Sequence, residues 1–296
     1  HHLASYLSRW GSVAGARVQA RCCYGASYDY FFSADGSCPS VYRPWATHDA
    51  EFCTMISPCP AKGLSLLLEL AHVLPAVKFA VVPTAWTSDV VLALLREALP
   101  NITVLDASPA VDDIYSRTRV LVAPSIWPEA FGLVVMEAEL RGIPAVSTTH
   151  GGLVEAQMDP ELAVPVSMFY DRSLNEIVYG KTMDEMEDEV AARAPPPLDA
   201  DAGACRTWHQ RAATLSARNA VECLSAIADE SEASPMAMLV GRLMTDDTFL
   251  HAASERAQRQ ACHFVRQHAG TMARILEDAT KDQNKFDFTS LVHLHA

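Results

Sequence analysis

No Cys-x-x-Cys pair occurs among the eight cysteines, and no cluster of His and Cys has zinc-finger spacing, so a structural zinc site is not expected. The cysteines are scattered as Cys22, Cys23, Cys38, Cys53, Cys59, Cys205, Cys223 and Cys262, a pattern expected of reduced thiols in a cytoplasmic protein. Apolar runs are broken by charges or prolines before they reach the roughly 18–20 residues of a membrane span. Basic residues are in deficit, 23 against 36 acidic ones for a net charge of −13, which argues against a nucleic-acid-binding face. An anionic ligand remains compatible, since one cation and a helix N-terminus are enough to hold a phosphate. The basic-then-apolar order of a signal peptide is missing as well. The first residue is His1 rather than Met, and His1 to Leu7 reads like the middle of a helix, so a chain that continues upstream is expected. What is present in the 296 residues is 50% hydrophobic content, enough for one substantial core or two smaller ones.

Residues 1–50 are the least orderly part, with one short helical piece (Leu3, Leu7, Trp10) and then a Gly-, Ser- and aromatic-rich loop. From residue 52 the text becomes regular. Strands are expected at 52–56, 77–82, 102–105, 120–123 and 145–148, with a sixth at 162–166. Helices are expected from 64 to 74, 90 to 99, 112 to 116 and 132 to 141. The strands are short continuous apolar runs without in–out alternation, which means a parallel sheet covered on both faces. Such α/β sheets take ligands beyond the carboxyl ends of their strands. A linker is expected at 183–204, where an acidic run meets Ala194-Pro195-Pro196-Pro197, and helical text resumes from Trp208 with a break at Ser234-Pro235.

The densest signal lies in 120–155. A strand ends at Pro124, an extended loop carries Glu129, and an apolar helix opens near Gly132 with Glu137 in its second turn. Free amides and the helix dipole favour phosphate at that helix start, and Gly132 lets a ligand approach the backbone. Glu129 and Glu137 would stand on the order of 10 Å apart along the axis, at about 1.5 Å per residue. That is the span from a hexose to a ribose across a diphosphate, and carboxylates accept well from vicinal hydroxyls. Ser125 is expected to end its strand by a turn hydrogen bond, and His150 to be a loop histidine. Asp106, Asp112 and Asp113 should cap or start a helix. Trp86 and Trp127 either flank a ligand or shield loops.

In these residues the chain resembles the donor site of the GT-B glycosyltransferases, in particular the retaining family 4. The family's Glu-x7-Glu signature stands here as Glu129 to Glu137 within Pro124-Ser125-x-x-x-Glu129-x-Phe131-Gly132-Leu133, followed by Gly151-Gly152-Leu153-x-Glu155. Ile56 to Gly63 resembles the family's strand-turn with its Lys62-Gly63. The similarity is strong over 52–167 and weak over 205–268. The resemblance implies that Glu129 contacts the transferred sugar, Glu137 the nucleotide ribose, and Lys62 the diphosphate. It also implies that main-chain amides of Phe131, Gly132, Leu133 and Val134 meet the sugar and diphosphate. One departure is that Ile56 and Ser57 stand where many members place an arginine.

The expectation is a Rossmann-like sheet at 51–182, the C-terminal lobe of a GT-B fold. Residues 1–50 would be a remnant of a largely missing N-terminal lobe, 183–204 a linker, and 205–296 a helical region. The implied function is retaining transfer of a sugar from a nucleotide diphosphate sugar to an acceptor (sugar, lipid or protein), with Glu129 and Lys62 catalytic. No metal or cofactor is implied. The alternative is a non-catalytic nucleotide-sugar-binding module that needs a partner chain for the acceptor lobe.

Overall fold

The computed structural model describes residues 50–97, 99–166, 168–171, 176–179 and 235–268. Expectations for 1–49 and for 183–204 lie outside the described residues. Six strands run in chain order as β1 (Phe52–Ile56), β2 (Phe79–Val82), β3 (Ile102–Val104), β4 (Thr118–Ala123), β5 (Ala145–Thr148) and β6 (Ala163–Val164). They form one sheet in the order β3-β2-β1-β4-β5-β6, every pair parallel. The central strands β1, β2, β4 and β5 are nearly all buried, which is why they read as unbroken apolar runs. Strand order reverses between β1 and β4, so their carboxyl ends diverge into a crevice where such sheets take ligands.

The crossovers are α1 (Leu64–Val73), α2 (Asp89–Glu97), α3 (Asp112–Tyr115), α4 (Leu133–Leu140) and α5 (Leu153–Ala156). Leu64, Leu67, Leu68 and Ala71 of α1 join Cys53, Met55, Phe79 and Val81 in the largest core cluster. Val135 and Ala138 of α4 pack with Leu121, Ala145 and Tyr115 in a second. Asn101 ties the end of α1 to the sheet by donating to the carbonyls of Ala71, Leu74 and Val77 at 2.9, 3.2 and 3.1 Å.

An antiparallel hairpin, β7 (Met168–Asp171) with β8 (Glu176–Tyr179), follows the sheet, in a stretch for which the sequence reading had no strand. The helical text after Ser234 is α6 (Pro235–Thr245) and α7 (Asp247–His268). The break between them at Asp246 was not foreseen: its carboxylate accepts from the Phe249 amide at 3.0 Å, an N-cap that restarts the helix. Met236, Ala237, Val240 and Leu243 of α6 complete the main core against α1. The chain divides into a unit spanning Val41–Gln260 and a second comprising 1–40 with Ala261–Ala296. In the second, the Phe264 and His268 rings lie 4.3 Å apart. Cys53 and Cys59 are free buried thiols, whereas Cys262 is disulfide-bonded, against the expectation of scattered reduced cysteines. Among the described residues no helix is long and apolar enough to cross a membrane.

Candidate functional site

The loops leaving β1 and β4 meet because glycine lets them. Gly63 caps α1 in the left-handed region (φ 83°), and a Cβ there would fall 1.8 Å from the Pro124 carbonyl oxygen. No side chain fits between the two loops. Their backbones are joined directly: the Ile126 amide donates to Ala61 O at 3.1 Å and Ser125 Oγ to the same carbonyl at 3.3 Å. Ser125 also closes its own turn on Trp127, as expected of it.

Lys62 ends a 3-10 turn, Pro60–Lys62, directly before Gly63, and strand β7 runs against this turn. Its Nζ donates to Oε1 of Glu129, so two of the expected site residues, 67 positions apart in sequence, form an ion pair. The lysine side chain is 33% exposed and the glutamate 15%, which leaves the pair reachable from solvent but only lightly hydrated. The neighbouring Cys59 is buried, which pushes its thiol up in spite of donors from the Lys62 and Ala61 amides, so it stands beside the pair uncharged.

Glu129 is held by its main chain as well. It forms an isolated parallel bridge with Gly151, and its carbonyl accepts from the Gly152 amide at 2.6 Å. A Cβ on Gly151 would lie 2.6 Å from Glu129 backbone atoms, and one on Gly152 2.4 Å from Ala130 O. The distal glycine pair, noticed in the sequence only as part of a frame, is therefore the seat of the Glu129 loop. Thr148 Oγ1 donates to Ser125 O at 2.5 Å and fixes the same loop from β5.

Gly132, with φ 110°, is the N-cap of α4, and a Cβ would come within 2.7 Å of Leu153 Cδ2 on α5. Close packing against α5 is thus a second reason for glycine besides open access for a ligand. Phe131 and Val134 are half-buried against the second core cluster, and Leu133 is 53% exposed at the start of the helix. The amides of the first turn of α4 therefore open at the carboxyl end of β4, next to Glu129.

Glu137 follows one turn into α4, half-buried, and its Oε2 accepts from the Tyr115 hydroxyl at 3.0 Å. Arg141, at the C-cap of α4, donates from Nη1 to Glu137 O at 2.9 Å and from Nε to Asp112 Oδ1 at 2.7 Å. Its guanidinium also sits 4.5 Å from the centre of the Tyr115 ring. Asp112 and Asp113 lie in the first turn of α3, as expected, but Asp112 also carries this ion pair. Tyr115 and Arg141 stand inside matching stretches of sequence, but the sequence assigns neither a role. The one available signal was the four-residue spacing from Glu137 to Arg141 on a single helix face.

Glu139 was missed too, and it is fully buried. Burial raises its carboxyl well above the ordinary range, opposed by the Met158 amide and reinforced by the nearby Asp159 carboxylate. Asp159 in turn accepts from Arg256 of α7 at 2.9 and 3.1 Å. This group lies at the far end of α4 from Glu129. His150 is buried beside the Gly151 bridge. Trp86 is 78% exposed, so it shields no loop, and Trp127 is half-buried. Ser57, standing where relatives of the expected family have arginine, takes a left-handed conformation (φ 63°) and bonds Thr84 Oγ1 at 2.7 Å. Among the described residues no group of three His, Cys, Asp or Glu is arranged to hold a metal.

Comparison with known proteins places a family model, "Glycosyl transferases group 1", on residues 52–164. Two curated relatives are the D-inositol 3-phosphate glycosyltransferases of Mycobacterium avium and Mycolicibacterium paratuberculosis, each 28% identical over 56% of this chain. The chain spans only 38% and 37% of their lengths. Among solved structures, Anabaena HepE in complex with UDP and glucose matches at TM-score 0.47 and 16% identity, over 81% of this chain and 53% of that one. The pneumococcal O-GlcNAc transferase GtfA in complex with UDP and GlcNAc matches at TM-score 0.40 and 13% identity, over 78% and 38% respectively.

Proposed function

We propose, from the match of residues 52–164 to the glycosyl transferases group 1 model, that this chain binds a nucleoside diphosphate sugar and serves transfer of its sugar to an acceptor. The observation that carries the reading is the convergence of Lys62, Glu129 and the start of α4 at the carboxyl ends of β1 and β4. A diphosphate suits this place, since an ammonium and the amides of Phe131 to Val134, which lead into the start of α4, supply positive charge from two sides. Glu129 then accepts hydroxyls of the sugar, and Glu137 those of the ribose.

The chemistry proposed is transfer with retention and without a metal. The bond from the anomeric carbon to the phosphate oxygen breaks while the acceptor oxygen bonds to the same face. The acceptor proton passes to the departing phosphate oxygen. Lys62 and the helix amides stabilise the charge that grows on the diphosphate, an electrostatic contribution realised most fully as the bond breaks. The acceptor side belongs to the second lobe that the resemblance implies, and orientation between the two walls supplies the remaining barrier lowering.

Calorimetric titration with UDP, GDP and ADP, and with their glucose and mannose conjugates, tests the reading in the presence of EDTA. At least one nucleotide is expected to bind without metal. A folded sample that takes up none of them at millimolar concentration would overturn the assignment.

A further inference from the structure

Resting on the reading of Glu137 as the ribose-binding carboxylate, we propose that Tyr115 and Arg141 are positioning residues that set the preference for ribose over 2′-deoxyribose. A half-buried glutamate on a helix face has several staggered rotamers open to it. Here the Tyr115 hydroxyl donates to Oε2 at 3.0 Å, which selects one rotamer and leaves Oε1 to accept from a ligand. Tyr115 is 1% exposed and ends a helix of only four residues, α3, which is too short to hold its own geometry.

Arg141 supplies the rigidity that α3 lacks. It is itself buried, at 4% exposure, and reaches both helices at once. On α3 it bonds Asp112 at 2.7 Å and covers the Tyr115 ring at 4.5 Å; on α4 it bonds the carbonyl of Glu137 at 2.9 Å. The planar guanidinium can do all three together, which a lysine ammonium cannot. One cation thus holds the phenol ring and the helix backbone that carries Glu137, and the phenol alone reaches the carboxylate. A carboxylate ordered before the ligand arrives loses less freedom on binding, and the gain falls on the hydroxyls it faces.

Tyr115→Phe keeps the ring, the packing and the guanidinium contact while removing the hydroxyl alone. UDP and GDP, each against its 2′-deoxy form, are the probes, with the melting temperature followed in parallel. The ribonucleotide is expected to bind roughly five- to tenfold more weakly, the effect of about one lost hydrogen bond, and the deoxy form to change much less. Asp112→Asn, which loosens Arg141 from its exposed side, should shift the ribose-to-deoxyribose ratio the same way by roughly twofold. Glu137→Ala separates the two layers of the argument. If it leaves the ratio at the wild-type value, the ribose assignment itself fails. If it collapses the ratio while Tyr115→Phe preserves it, Glu137 binds ribose and the positioning role is refuted.

Discussion

Lys62 is engaged by Glu129, so the cation proposed for the diphosphate is partly neutralised by the carboxylate proposed for the sugar. Glu129→Gln removes that negative charge and keeps the shape and one acceptor oxygen. A carboxylate about 6 Å from a phosphate, at an effective dielectric between about 20 and 40, repels it by roughly 1.4–2.8 kcal/mol. Side chains exposed to the extent of 33% and 15% admit counter-ions, so only part of this survives. A net gain of about 0.7–1.4 kcal/mol remains, which is roughly three- to tenfold tighter binding of a bare nucleoside diphosphate.

The nucleotide sugar responds differently. Its hydroxyls lose a charged acceptor, worth roughly 1.5–3 kcal/mol, which offsets or exceeds the gain at the phosphate. Glu129→Gln should therefore favour product-like nucleotide over donor by at least about tenfold relative to wild type, while any transfer activity falls. Calorimetry with UDP and UDP-glucose, GDP and GDP-mannose, at about 50 and 500 mM salt, reads both numbers. The diphosphate gain should shrink at the higher salt as the field is screened. If Glu129→Gln weakens the bare diphosphate as much as the sugar conjugate, Glu129 does not compete for Lys62 and the division of roles is wrong.

Two further outcomes follow from the described geometry. Glu139 is buried with a raised proton affinity, so the unfolded chain releases that proton at lower pH than the folded one, and stability falls as pH climbs from the ordinary glutamate range toward the raised value. Glu139→Gln removes this dependence and should gain more than about 1 kcal/mol on wild type between pH 4.5 and pH 8, read by urea denaturation at each pH; an unchanged difference between the two pH values would contradict it. Gly63→Ala places a Cβ 1.8 Å from the Pro124 carbonyl oxygen at φ 83°, so a loss of about 3 kcal/mol or more and of nucleotide binding is expected in denaturation and titration.

How far the sequence carried depended on the range of the interactions. Strands such as Phe52–Ile56 and Ala145–Thr148 were legible to the residue because a doubly covered strand must be apolar throughout, and composition records that. Strand β3 ends one residue before the expected Leu105, although the buried Leu105 still donates its amide to Val81 O on β2 at 2.9 Å. The helix beginning near Gly132 was legible because an apolar run after a loop has few other ways to fold. The break at Asp246 is also written locally, as an N-cap aspartate three residues before Phe249.

What stayed hidden was partnership across the chain. Arg141 looks like an ordinary basic residue at a helix end until α3, 29 residues upstream, is brought against it. Glu139 looks like a solvated helix position because α4 has polar residues on two faces, and only α7 and the Asp159 turn close over that side. The glycines show the same limit in another form. Gly63, Gly132 and Gly151 were each recognisable as unusual, but the reason lies in a backbone or side chain at least 20 residues away: Pro124, Leu153 and Glu129 in turn. A motif of two glutamates in a helix-start loop names the candidate groups. Whether they converge is decided by three glycines that let separate loops touch, and substitution at any of them should move Glu129 or Lys62 without changing either residue.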